Sequence, residues 1–316
     1  MKPRKILVPV DFSYHGNGAV RLAVMLAQRW NAEITVLHVD PLPGAGTVAI
    51  EPIYIAPQIF DGLHAEHDAK VEQNLREVHD EVVERAGKAI KVTAVRRRSE
   101  PVAGIVTFAR EWGASIMVMG SQGASGLAHL LLGSTAEKVS RIAPCPVLIA
   151  GRADDTREET RGLRRVMVAI DYSEFSAPAT RLAALFTEPG GVLEIVHIAG
   201  EPVMSALSAS LGGQRADLSE MAEKVREAEV ERIENFSTGL GIADVQVAHY
   251  VGAGTPAGAI LARAQDTAAD LIVLGAHSRS TFSERILGTV ADRVLRHAQA
   301  PVLLYPEAAL PHATAE

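Results

Sequence analysis

Met119-Gly120-Ser121-Gln122-Gly123, then nine residues, then Gly133-Ser134-Thr135: the fold turns on this stretch. An apolar run, Ile116 to Met119, ends in the first glycine, and Gly133 to Arg141 reads as the opening turns of a helix. A strand, a glycine-punctuated loop and a helix start, in that order, make a cradle for an anion. The N–H groups at a helix start have no intrahelical partner, and the helix dipole favours negative charge there. The full spacing is G-x2-G-x9-G-[ST]. Glycines also end strands, and Gly-Ser also caps helices with no ligand present, so the surrounding chain has to decide.

Upstream, Ile6 to Val10 is a short apolar run that stops at Asp11, which is the pattern of a buried strand. From Gly18 to Trp30 the apolar residues Val20, Ala23, Val24, Ala27 and Trp30 recur at helical steps. Ile34 to Val39 and Lys91 to Val95 read as strands, His64 to Gly87 and Pro101 to Trp112 as helices, and Pro146 to Ile149 as a fifth strand. Pro41 to Pro57 has no period and reads as a surface excursion. Strand and helix in alternation predict a parallel α/β sheet with helices on both faces.

The order then repeats. Val168-Ala169-Ile170-Asp171 answers Val8-Pro9-Val10-Asp11, and Val196-His197-Ile198 answers Leu37-His38-Val39. Leu274-Gly275 answers Met119-Gly120, Gly288-Thr289 answers Gly133-Ser134, and Pro301-Val302-Leu303 answers Pro146-Val147-Leu148. The offset is 160 residues at the aspartates and 155 at the glycines, the trace of a tandem duplication. The expected division is one domain over 1–150, a polar linker over 151–163, a second domain over 164–306 and a tail over 307–316.

Composition narrows the function. The chain has 316 residues, 47% hydrophobic and 22% charged, which suits two globular domains. A net charge of −7 argues against a general nucleic-acid binder or a polybasic membrane docker. The single cysteine, Cys145, allows no intrachain disulfide and fits a reducing compartment. The basic start is followed by too short an apolar run for a signal peptide, and no run reaches the length of a membrane span. The expectation is a soluble cytoplasmic protein. Val251-Gly252-Ala253-Gly254-Thr255-Pro256-Ala257-Gly258 imitates a dinucleotide fingerprint but has the wrong glycine spacing and an interrupting proline. The chain contains no G-x-x-x-x-G-K-[ST]. His64, His67 and His79 lack a carboxylate or cysteine at ligand spacing and read as solvated helix residues, so no protein side chain is assigned to a metal. His38 and His197 read as core or near-site histidines, and Cys145 as a buried structural thiol.

Both halves resemble universal stress protein domains, on the first-strand, second-strand, loop and last-strand matches just quoted, and the chain resembles a tandem member of the ATP-binding branch. The resemblance implies two open five-stranded parallel sheets of order 3-2-1-4-5, with ATP in the crevice between strands 1 and 4 where such sheets bind ligands. In the first half it implies Pro9 and Asp11 at the first strand, Val39 on the adenine, Asp11 and Gly120 at the ribose, and Gly123, Gly133, Ser134 and Thr135 around the phosphates. In the second half Asp171, Ile198, Gly275, Ser278, Gly288 and Thr289 hold the matching positions. Glycine allows close backbone approach and positive φ. Ser278 stands where the second glycine belongs, so the second site is expected to be weaker. Mg or Mn would be held mainly by the phosphates. The implied function is nucleotide sensing or buffering in a stress response, with slow ATP hydrolysis at most and no assigned catalytic residue. The alternative is a scaffold or interaction module with an empty pocket. The fifth strand is expected to join the halves as an internal pseudo-dimer; association of two chains is left open.

Overall fold

The computed structural model describes residues 2–13, 16–41, 57–121, 132–151, 162–199, 215–276 and 287–309. The first half runs β1 (Lys5–Pro9), α1 (Gly16–Trp30), β2 (Glu33–Asp40), α2 (Pro57–Ala86), β3 (Val92–Arg98), α3 (Pro101–Trp112), β4 (Ile116–Met119), α4 (Ser134–Ile142) and β5 (Val147–Ile149). The second runs β6 (Arg165–Ile170), α5 (Ser176–Phe186), β7 (Val192–Ala199), α6 (Arg215–Thr238), β8 (Gln246–Ala253), α7 (Pro256–Asp266), β9 (Leu271–Gly275), α8 (Thr289–His297) and β10 (Val302–Tyr305). Residues 42–56 of the excursion, 152–161 of the linker and 310–316 of the tail lie outside the described residues.

Local signals explain the boundaries. α3 opens where the Glu100 carboxylate accepts from the Ala103 N–H at 2.7 Å and Pro101 takes the first helical position. It closes at Gly113, whose φ of 70° is the left-handed cap that glycine adopts without a Cβ clash. In β1, Ile6 and Val8 enter the core on one face of the sheet and Leu7 the core on the other, the two-residue alternation of a strand buried on both sides.

The strand order is β3-β2-β1-β4-β5-β10-β9-β6-β7-β8. Each half is parallel throughout and has the expected 3-2-1-4-5 order. The two sheets expected from sequence are nevertheless one sheet of ten strands, because β5 and β10 pair antiparallel through Leu148↔Leu303. A fifth strand with one neighbour would leave a row of unpaired N–H and C=O groups, and each fifth strand removes that edge for the other. Each core continues across the seam. On one face Trp30 meets Phe186 edge-on at 4.9 Å, and Arg29 donates from its two Nη atoms to the Phe186 and Thr187 carbonyls at 2.5 Å each.

Candidate functional site

β1 lies between β2 and β4, so the connections leave it in opposite directions and a crevice opens beyond its C-terminal end. Pro9 ends β1, Asp11 follows two residues later, and Gly120 follows β4 directly. The same holds for β6 between β7 and β9, with Asp171 and Gly275 at the strand ends.

Both aspartates sit at the start of a tight turn whose next residue is an aromatic at positive φ, Phe12 at 61° and Tyr172 at 58°. A bulky residue there costs about 1–2 kcal/mol and persists only where its surroundings hold it. Phe12 stacks on His38 at 4.3 Å. Tyr172 contacts His197 at 4.7 Å and lies under the Arg232 guanidinium at 3.8 Å. The turn aims backbone at the carboxylates: Ser13 N–H donates to Asp11 Oδ1 at 3.1 Å, and Ser173 N–H to Asp171 Oδ1 at 2.9 Å. The Ser13 hydroxyl adds a bond to Asp11 at 2.6 Å, and the Ser176 hydroxyl one to Asp171 at 3.2 Å.

Val39 occupies a strand position whose backbone groups face the crevice. Glu33 N–H donates to Arg4 O at 2.9 Å and Val10 N–H to Leu37 O at 2.8 Å, so odd-numbered residues of β2 face β1. Ile34 N–H donates to Lys91 O and Asp40 O accepts from Ser99 N–H, so even-numbered residues face β3. The period of two turns the Val39 N–H and C=O toward β1, beyond the last paired residues, Pro9↔Leu37. Ile198 holds the matching place: Val192 N–H donates to Arg164 O at 2.7 Å, so even-numbered residues of β7 face β6.

The loop closes on the strand end in both halves. Gly133 N–H donates to Ser121 O at 2.8 Å, and Gly288 N–H to Ala276 O at 2.9 Å. Ser134 and Thr135 are the first two residues of α4, and Thr289 is the first of α8. The two cap glycines do not use the positive φ open to glycine, since Gly133 has φ −60° and Gly288 φ −57°. Gly123 and Ser278 lie outside the described residues.

In the second half these pieces enclose a cavity of about 260 Å³, lined by Asp171, Ile198, Gly275 and Gly288 together with His197, Ser173, Ser176 and Ile260. Four of the six residues expected there thus meet in one space. Sequence reasoning missed the serines and gave the histidines no task, although a serine two residues after each aspartate and a histidine before Val39 and Ile198 recur in both copies. It also missed Ser121, buried at the β4 end with no partner for its Oγ among the described residues.

Charge around the first site is asymmetric. Asp40, directly after Val39, is 5% exposed and bonded to His67 Nε2 at 3.0 Å and Arg96 Nη2 at 2.5 Å. Burial pushes its carboxyl up, but the bonds from His67 and Arg96 outweigh this and hold it below its ordinary value. Asp68 of α2 joins through Arg96 at 2.6 Å and Arg98 at 2.5 Å. His67 is half exposed, in keeping with a solvated helix histidine, and also ties α2 to the strand end. At the matching places of the second half stand Ala199, Val251 and Ala253.

The profile of the universal stress protein family matches residues 2–151 and 162–306. A universal stress protein of Mycobacterium tuberculosis is 28% identical over 307 residues, 96% of this chain and 98% of its own. The universal stress protein YxiE of Bacillus subtilis is 34% identical over 149 residues, 46% of this chain and 97% of its own. Among solved structures, a universal stress protein from Archaeoglobus fulgidus superposes with TM-score 0.69 at 25% identity, covering 97% of this chain and 99% of its own. With family matches over both halves, the chain belongs to the universal stress protein family.

Proposed function

We propose that each half binds an adenine nucleotide, ATP in the first instance, in the crevice at its strand ends, and that the protein senses or buffers that nucleotide. The observation that carries this reading is the 260 Å³ cavity, in which an aspartate, a crevice-facing strand residue and two glycines converge from four separate elements. Ile198 in the second half and Val39 in the first meet the base with backbone groups. Asp171 and Asp11 accept from the ribose hydroxyls beside Gly275 and Gly120. The phosphates lie at the helix starts, at Gly288 and Thr289 in one half and at Gly133, Ser134 and Thr135 in the other, where the first-turn N–H groups that follow the two glycines and the dipole favour them. By motif position Gly123 and Ser278 would meet the phosphates, and a serine in place of the second glycine would make the second site the weaker. Mg or Mn, bound mainly by the phosphates, would screen their mutual repulsion. Turnover is slow at most, since no general base is assigned.

The test is the nucleotide carried by the purified protein. Denaturation should release ATP or ADP, and added ATP with magnesium should raise the melting temperature. Neither release nor shift would favour an interaction module with an empty crevice.

A further inference from the structure

The two halves differ at one hydrogen bond of the sheet, and it lies where the base would be read. In the second half the parallel register runs on to Ile170↔His197, whereas in the first it ends at Pro9↔Leu37 and omits the equivalent pair Val10↔His38. Ile170 faces β7, because Arg164 six residues earlier accepts from Val192 N–H. A parallel pair of that kind bonds Ile170 to the residues on either side of His197, so the Ile170 carbonyl takes the Ile198 N–H.

In the first half Val10 N–H still donates to Leu37 O at 2.8 Å, and there the ladder stops. The Val10 carbonyl accepts from His38 Nδ1 at 2.9 Å. A carbonyl only accepts, so Nδ1 carries the hydrogen, and the imidazole sits on the acceptor that the ladder would have given to Val39. His38 is 9% exposed, and Phe12 stacks on it with the rings 27° apart, which fixes the ring plane. His197 makes the same bond to Ile170 O, at 2.9 Å, but there the carbonyl also takes the strand N–H, so the halves differ in whether the ladder shares the carbonyl: Val10 lies outside the ladder and its carbonyl keeps the stacked imidazole.

We propose that His38 is a positioning residue that reserves the Val39 N–H for the base, so that the first half selects adenine over 6-oxopurines while the second half reads the base less strictly. This rests on the nucleotide reading above. Adenine presents an acceptor at N1 and a donor at its 6-amino group, which suits a strand residue offering N–H and C=O side by side. Hypoxanthine presents the opposite pair, N1–H and a 6-oxo group. With its N–H committed to Ile170, Ile198 meets the base through its carbonyl alone.

The experiment measures ATP and ITP affinities by calorimetry with magnesium in the full chain, using Asp171→Ala to isolate the first site and Asp11→Ala to isolate the second. The first site should prefer ATP by about tenfold, the worth of one well-made hydrogen bond, and the second by a clearly smaller factor. His38→Leu should collapse the first-site preference, and His38→Asn, whose amide nitrogen takes the place of Nδ1, should restore it. Equal preferences at the two sites would overturn the proposal without any change at position 38. Equal weakening of ATP and ITP in His38→Leu would also overturn it, since that is loss of packing alone. If the wild-type chain binds neither nucleotide, the nucleotide reading itself falls.

Discussion

Arg296, in the last turn of α8, donates from Nη2 to Glu137 Oε2 in the first turn of α4 at 2.8 Å, and its Nε and Nη2 also hold Asp292 at 3.0 Å each. One guanidinium thus ties together the first-turn carboxylates of the two helices whose starts face the two crevices. Arg141 contacts Glu137 from the other side. Replacing Arg296 by Met should lower stability, and the coupling between Arg296 and Glu137 should amount to about 1 kcal/mol, as for partly buried ion pairs. A double-mutant cycle with Glu137→Gln, read by urea unfolding, checks this. Additive effects would mean that the bridge does not hold the halves together.

Gly104 of α3 packs directly against the strand residue at the crevice. A Cβ there would lie 2.7 Å from Val39 Cγ1 and 3.0 Å from Ser99 Cβ. Valine is stiff at χ1 and Val39 is buried, so the clash must move backbone. Gly104→Ala should cost about 1–3 kcal/mol in chemical unfolding, the range for overpacked cores. An unchanged midpoint would show that α3 can recede freely.

The ion cluster on α2 gives an acid signature. Hydrogen bonds from Arg98 and then Arg96 hold the Asp68 carboxyl at about 2, below its ordinary 3.8. The folded state therefore binds fewer protons than the unfolded chain, so the contribution is complete above about 3.8 and disappears as pH falls through about 2. The stability gap between wild type and Asp68→Asn should narrow as urea midpoints are followed from pH 5 down to pH 2. A gap independent of pH would exclude these bonds as its source.

Burial pushes the Cys145 thiol up to about 12, with a backbone contact from Met117 opposing only part of the effect. At pH 8 almost no thiolate exists, and the sulfur is covered. Iodoacetamide should leave the native protein unmodified and label it promptly in guanidinium chloride. Fast labelling of the native chain would contradict the burial.

Much of this architecture was legible because each element is written in its own period. Ile116–Met119 and Pro101–Trp112 end where the apolar run and the Pro/Gly punctuation say they should. The repeated Asp, Gly and Pro positions located both crevices. Other features depend on contacts distant in sequence. Val10 continues the apolar pattern of β1, yet the strand ends at Pro9 and the Val10 carbonyl is bonded by His38 of β2 instead of by the ladder. Phe12 and Tyr172 are poor choices for positive φ by local preference, and ring contacts from other elements hold them there. The fusion of two sheets rests on the three-residue strand β5 meeting a partner about 155 residues away. The Asp40 cluster joins a strand end to a helix across residues with no readable period.

The antiparallel pairing of Leu148 with Leu303 has one more consequence. Every strand of the second half runs opposite to every strand of the first, so the two crevices open on opposite rims of the sheet. A flat partner that lies over one mouth leaves the other in bulk solvent. Occlusion of the two sites is thereby separable by geometry alone, and a chain attached by one rim keeps an open port on the other.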